Sequence, residues 1–176
     1  MKRTHIGKLT LAGVFSALAL VFLLFTTTNL ATVGTVALAA VCGIPVVTEV
    51  GRRGGLLHFA AVAVLAWLIV PNIEGKVLYT AFFGWYTVFK AWLESKNLPR
   101  PAEWGIKYGV FTVAMAAFAA TWVWLLKAPL PPQWWVIPAV ALLLYALFWV
   151  YDRCLTGLVG VYCARLQPTL RRVFQF

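Results

Sequence analysis

The chain has few charged residues and very few acidic ones. Only 11% of its 176 residues are charged, and five are Asp or Glu, against fifteen Lys or Arg. A soluble domain carries about 25% charged and about 45–50% apolar residues. Here 62% of the residues are hydrophobic and the mean hydropathy is +0.86. A water-soluble core of this size cannot bury that much apolar surface, which excludes the ordinary soluble classes.

Residues that bind metals or form disulfides are also scarce. There are two histidines and three cysteines, and Cys42, Cys154 and Cys163 form no C-x-x-C pair. Metal sites and disulfide frameworks normally show a characteristic spacing, so we interpret the cysteines as small apolar residues inside helices. The sequence shows no Ser-His-Asp set and no phosphate-binding glycine loop. We therefore expect no enzyme activity, no metal and no cofactor.

The net charge of +10 indicates the kind of partner. A basic balance points to nucleic acid when Lys and Arg follow one face or element. In this chain they lie at the ends of apolar runs instead, which is the positive-inside pattern of membrane proteins. The expected partner of the basic residues is the lipid bilayer, and no nucleic-acid partner is expected.

Apolar runs long enough to cross a bilayer recur through the chain. About 20 predominantly apolar residues span the hydrocarbon as a helix. The runs are 9–25, 30–47, 56–70, 77–93, 108–126 and 134–150. The first run is longer than the usual apolar region of a cleaved signal peptide, so we interpret it as a retained helix. The sequence predicts an all-α polytopic membrane protein with six transmembrane helices in a single domain, 1–176.

Two turns set the orientation of these helices. We interpret Gly51–Gly55 as an inner turn and Pro71–Lys76 as an outer one. With a cytoplasmic N-terminus, every Lys and Arg except Lys76 and Lys127 falls in an inner segment. Such an asymmetry over short loops predicts that both termini are cytoplasmic. The expected location is the bacterial cytoplasmic (inner) membrane.

Prolines predict where two helices end. The residue before a proline is disfavoured in helical geometry, so Pro99 predicts an end of the fourth helix near Asn97, and Ala102–Trp104 would begin a short interfacial helix. The amphipathic segment 153–176 is a short cytoplasmic tail that either continues the sixth helix or lies on the membrane surface, and Pro168 would stop it. Its basic, aromatic end either rests on anionic headgroups or frays.

The acidic residues predict boundary salt bridges. Glu49 has Arg52 and Arg53 within reach, although a proton relay with His58 is an alternative. Asp152 would pair with Arg52 or Arg53 across the bundle, or bind a cytoplasmic partner.

Lys90 and Glu94 are four residues apart in the fourth predicted helix. Side chains at this spacing are neighbours on a helix, so the pair is expected on the helix surface.

Small residues form a stripe on the first helix. Ala12, Gly13, Ser16 and Ala17 pair at spacings of four, which lets two helix backbones approach closely. The stripe is either a docking face for a partner membrane protein or a close packing contact within this chain.

The opening segment Lys8-Leu-Thr-Leu-Ala-Gly-Val-Phe-Ser-Ala-Leu-Ala-Leu resembles the first helix of S components, the substrate-binding subunits of energy-coupling-factor transporters. The resemblance implies a small six-helix subunit whose first helix meets a transmembrane coupling subunit through Ala12, Gly13, Ser16 and Ala17, with cytoplasmic ATPases powering transport. The stretch 49–94 and Tyr151-Asp152 also resemble a group of small bacterial membrane proteins without a known activity.

An S component similar to this chain would bind its solute at the outer surface. Polar and aromatic residues expected there could orient and stack a small molecule such as a vitamin. The candidates are Asn29, Asn72, Glu74, Tyr79, Trp134 and Trp135. The alternative is an interfacial aromatic belt with a solvated turn.

Two functions follow from these expectations. The first is a non-catalytic, S-component-like subunit that captures a small solute for a transporter. The second is a structural or scaffolding membrane protein that assembles with a larger envelope complex and binds no solute. An outer pocket with convergent polar groups would distinguish the first from the second.

Overall fold

A computed structural model describes residues 2–28, 32–124 and 135–174. These ranges are helical and contain no strand. The helices are α1 (Lys2–Leu24), α2 (Thr32–Val41), α3 (Gly43–Val50), α4 (Arg52–Ile69), α5 (Ile73–Leu78), α6 (Gly84–Glu94), α7 (Arg100–Trp124), α8 (Val136–Val161) and α9 (Gln167–Phe174). A 3₁₀ turn, Phe25–Thr28, follows α1, and π-helical turns join α5 to α6 (Tyr79–Phe83) and α8 to α9 (Tyr162–Leu166).

Four stretches of helix are long and apolar enough to cross a membrane. They are Ile6–Thr28, Thr32–Val50, Arg52–Ile69 and Val136–Val173. The all-helical prediction is confirmed for the residues that the structure describes. Long apolar helices of this kind are typical of an integral membrane protein.

The second predicted helix is two helices. The apolar run 30–47 predicts one continuous span, whereas α2 ends at Val41 and α3 begins at Gly43. Proline has no backbone N–H, and its ring clashes with the carbonyl four residues earlier. Pro45 would meet the carbonyl of Val41 in a continuous helix. After the break Pro45 lies in the first turn of α3, where its missing N–H costs nothing.

The inner turn is shorter than the glycine pattern predicts. Only Gly51 turns the chain, with φ of 88°, and α4 begins at the next residue. Gly55 lies inside α4, where a Cβ would come within 2.5 Å of Val47 Cγ2 and 2.9 Å of Val88 Cγ2. The prediction of a turn over Gly51–Gly55 was therefore wrong. Gly55 lies within α4, and because it lacks a Cβ, α3, α4 and α6 can pack closely there.

At the opposite end of the bundle Asn72 joins α5 to the end of α1. Its side-chain oxygen accepts hydrogen bonds from the backbone N–H groups of Glu74 (2.9 Å) and Gly75 (3.3 Å), which caps α5. Its amide nitrogen donates to the carbonyl of Thr26 at 2.6 Å. A Cβ on Gly75 would meet Thr26 Oγ1 at 2.8 Å. We call this the Thr26 end, and the opposite one the Gly51 end.

The continuous rod formed by α5, its π turn and α6 is the centre of the fold. Tyr79, Phe82 and Tyr86 on this rod are at most 1% exposed. The Phe82 ring lies 5.3 Å from that of Phe111 on α7 and 5.7 Å from that of Phe148 on α8. Aromatic pairs at these separations add to the burial of their apolar area, so this cluster positions α7 and α8 against the rod.

The turn between α6 and α7 agrees with one proline prediction and corrects another. The helix ends at Glu94, and Asn97 takes a positive φ of 49°, a conformation common just after a helix. The predicted end near Asn97 is confirmed. Ala102–Trp104 is the first part of α7 rather than a separate interfacial helix, because Pro101 sits at the start of that helix, where proline is favoured.

The tail continues the last helix. From Val136 the chain stays helical through α8, the π turn and α9 to Phe174, which decides between a continued helix and a separate surface helix. The prediction that Pro168 stops it was wrong. In the π turn the Gln167 N–H reaches the Tyr162 carbonyl, five residues back. Proline is tolerated in the first turn of a helix, and Pro168 is the second residue of α9.

Candidate functional site

The small residues of α1 divide between two faces. Ser16 turns towards α4, where its hydroxyl lies 2.8 Å from His58 Nδ1, and Ala12 is half-buried. Gly13 and Ala17 are exposed, and a Cβ on Gly13 would have no atom within 4 Å. Packing within the described chain accounts for Ser16 but not for Gly13 and Ala17. Their face remains open although α1 packs against α2, α3 and α4.

The predicted solute-binding residues have different surroundings. Asn29 and Trp134 lie outside the described residues. Asn72 caps α5 and bonds Thr26, while Glu74 is half-buried in the first turn of the same helix. Tyr79 is fully buried beside Phe59, with ring centres 6.0 Å apart, whereas Trp135 is 58% exposed. The described part of the structure does not bring Tyr79 and Trp135 to one surface.

A charge cluster centred on Asp152 joins α6, α7 and α8 at the Gly51 end. Oδ1 of Asp152 accepts hydrogen bonds from Lys90 Nζ at 2.7 Å and from the Tyr86 hydroxyl at 2.8 Å. Oδ2 lies 3.1 Å from Lys107 Nζ. Asp152 and Lys107 are each 2% exposed. The predicted partners of Asp152, Arg52 and Arg53, are instead exposed at the start of α4.

Two further carboxylates complete the charge cluster. Glu94 Oε1 lies 2.6 Å from Lys90 Nζ and 3.3 Å from Lys107 Nζ, and Glu103 Oε1 lies 2.6 Å from Lys107 Nζ. The predicted Lys90–Glu94 pair exists, but Lys90 is buried at 4% exposure and not on a helix surface. A buried charge is tolerated when it is paired and hydrogen-bonded. The five charged side chains meet this condition together.

A cavity of about 250 Å³ adjoins the charge cluster. Besides three carboxylates and Lys107 it is lined by Arg100, Trp104, Arg153 and Thr156. The Trp104 ring has Lys107 Nζ 5.3 Å from its centre and the Arg153 guanidinium 5.6 Å from it, both within cation–π range. Because opposite charges already surround Lys107, the arrangement holds the end of α6 and the start of α7 against α8.

A second polar cluster fastens the tail to α3, and we call it the tail latch. Glu49 Oε1 accepts a hydrogen bond from Gln167 Nε2 at 2.7 Å and a longer one from the Tyr162 hydroxyl at 3.4 Å. Oε2 accepts one from Arg171 Nε at 3.1 Å. The predicted salt bridge to Arg52 and Arg53 was wrong, because Gly51 reverses the chain and leaves both arginines exposed on α4.

His58 is buried, with Nδ1 facing Ser16 and with no hydrogen-bond partner for Nε2 among the described residues. The carboxylate of Glu49 is engaged by the tail. The structure therefore shows no contact that would support a Glu49–His58 relay within the described ranges.

No family model, curated protein or solved structure matches the chain.

Sequence reasoning found one pair of the charge cluster, Lys90–Glu94, and missed the other partners in both clusters. Asp152, Lys90 and Glu49 stood out as ionisable groups near the ends of apolar runs, where such groups usually have a partner. Lys107 and Glu103, four residues apart in α7, carry the same signal, and no pairing was predicted for them. Nothing local in the sequence indicates that Asp152 of α8 contacts both α6 and α7.

Proposed function

We propose that the chain is a non-catalytic subunit of a bacterial membrane transporter, similar to an S component, which docks on a coupling subunit through α1. It crosses the cytoplasmic membrane six times. At 1.5 Å per residue, the helical stretches 73–94 and 100–124 extend about 33 Å and about 37 Å. The hydrocarbon core is about 30 Å thick, so both lengths support adding these stretches to the four long apolar helices.

The distribution of charge supports cytoplasmic termini. The Gly51 end carries Arg52, Lys96 and Arg100, whereas Lys76 is the basic residue described at the Thr26 end. Positive residues are retained on the cytoplasmic side of short loops. The Gly51 end then faces the cytoplasm, where cytoplasmic ATPases would act on the coupling subunit.

The exposed pair Gly13 and Ala17 is the observation that carries the docking proposal. In lipid, helices associate through close backbone approach, and small residues spaced by four permit that approach. Contacts within the described chain do not occupy this pair. A partner helix with its own small residues fits the open face.

The test is co-purification of the chain with a coupling subunit from membranes in mild detergent. Gly13→Leu and Ala17→Leu are expected to abolish the association, because each side chain would separate the two helix backbones. Both positions are open in the isolated chain, so the unfolding temperature is expected to stay unchanged. Ala120→Leu, at an exposed alanine of α7, is the matched control and should retain the partner. Retained association in the two α1 variants would refute the docking proposal.

A scaffolding role without a solute is the second candidate. Contacts at the Thr26 end support it, because among the described residues Asn72 ties α5 to the end of α1 and Gly75 packs closely against Thr26. Native mass spectrometry of the gently solubilised protein distinguishes the two candidates. A retained small molecule supports solute capture, whereas retained membrane proteins with no small molecule support the scaffold.

A further inference from the structure

An apolar groove of about 420 Å³ lies between α1, the α2–α3 segment and the tail. Phe15 and Phe22 of α1 line one side, and Leu158, Val161 and Leu166 of the tail line the other. Leu158, Val161 and Leu166 remain between 42% and 52% exposed. Such a lining gives a water-soluble solute little to hydrogen-bond with, and suits a hydrocarbon chain.

The tail supplies uncompensated positive charge beside this groove. Arg165 precedes the lining residue Leu166, Arg172 follows the lining residue Leu170 by two positions, and both arginines are exposed. In the described part of the chain neither arginine has an ion pair, since the nearby carboxylate, Glu49, is engaged by Arg171. The tail latch shares Tyr162 with the groove, so the latch and the groove adjoin.

We propose that this groove binds one acyl chain of an anionic phospholipid, with Arg165 and Arg172 at its phosphate. Apolar atoms that face an empty space lose dispersion contacts, and an acyl chain would restore them. Arginine side chains near an anionic headgroup attract it electrostatically. An anionic phospholipid matches both the apolar lining of the groove and the charged rim formed by Arg165 and Arg172. The site is independent of the docking face, because Gly13 and Ala17 do not line it.

The test is native mass spectrometry of the detergent-solubilised full chain after exchange with palmitoyl-oleoyl phosphatidylglycerol or the matching phosphatidylcholine. One phosphatidylglycerol is expected to stay bound per chain. Val161→Trp fills the groove and should reduce its retention at least tenfold. Val113→Trp, at a 72% exposed position on α7, is the control and should leave retention unchanged.

The charged rim is tested separately with exposed residues, whose replacement leaves the fold intact. The double variant Arg165→Gln/Arg172→Gln should lower the preference for phosphatidylglycerol over phosphatidylcholine about tenfold or more, since two arginines act on the phosphate. Arg100→Gln, an exposed arginine that does not line the groove, should change nothing. Equal retention of both lipids, retention insensitive to Val161→Trp, or a second copy of the chain in place of lipid would each overturn the proposal.

Discussion

At the scale of single residues, three carboxylates and two lysines decide how α6, α7 and α8 meet. Asp152, on α8, connects all three helices, because it accepts hydrogen bonds from Tyr86 and Lys90 on α6 and from Lys107 on α7. Removing one partner from a buried ion pair leaves an uncompensated charge, which costs more than the pair itself contributes. The charge cluster is therefore sensitive to the loss of its central carboxylate.

Asp152→Asn tests this dependence. The variant keeps the shape of the side chain but leaves Lys90 and Lys107 with one buried countercharge fewer, so we expect a loss of about 3–5 kcal/mol in the free energy of unfolding. Denaturant unfolding in detergent measures it. Glu74→Gln, at a carboxylate with no ion pair among the described residues, is the control and should change stability by less than about 0.5 kcal/mol. Equal stability of the two variants would contradict the assignment.

At the scale of elements, the tail is the segment whose position depends most on a few contacts. Glu49 on α3 holds Gln167 and Arg171 on α9, more than a hundred residues away in the chain. Hydrogen bonds to a charged group contribute about 1.5–3 kcal/mol, and most of the α9 surface is exposed. Glu49 therefore supplies much of what keeps α9 against the bundle.

Glu49→Gln is expected to release the tail. It preserves a hydrogen-bonding side chain in α3 but removes the charge that Arg171 faces. Hydrogen exchange of the backbone amides in 167–174 should accelerate severalfold, while exchange in α3 itself stays slow. Arg172→Gln, at an exposed arginine outside the tail latch, provides the comparison. Unchanged exchange in the Glu49 variant would mean that apolar contacts of Leu170 and Tyr162 hold the tail without the latch.

At the scale of the whole molecule, the proposed six-helix topology has a simple consequence. Arg100 begins α7 at the Gly51 end and Glu74 lies in α5 at the Thr26 end. The two residues are then separated by the central rod of α5 and α6, which is long enough to cross the hydrocarbon.

Cysteine labelling in intact cells tests the topology. In a background with Cys42, Cys154 and Cys163 replaced, Glu74→Cys should react with a membrane-impermeant maleimide added outside. Arg100→Cys should react only after the cells are permeabilised. If both positions are labelled from the same side, the six-helix topology and its cytoplasmic termini are wrong.

Local sequence was enough to predict the helical, membrane-type character of the chain and the end of the helix near Asn97. These properties follow from the local density of apolar residues and from the restriction that proline places on its neighbour. The structure showed that Pro45 divides the second helix and that Pro168 continues the tail, and the conformational restriction of proline allows either result at such positions. The tertiary structure alone decided that Glu49 and Asp152 bind residues other than Arg52 and Arg53. These partners depend on which helices are neighbours, and they lie between 45 and 122 residues away in the chain. A local pattern of residues carries no information about such distant contacts, because packing of whole helices brings them together.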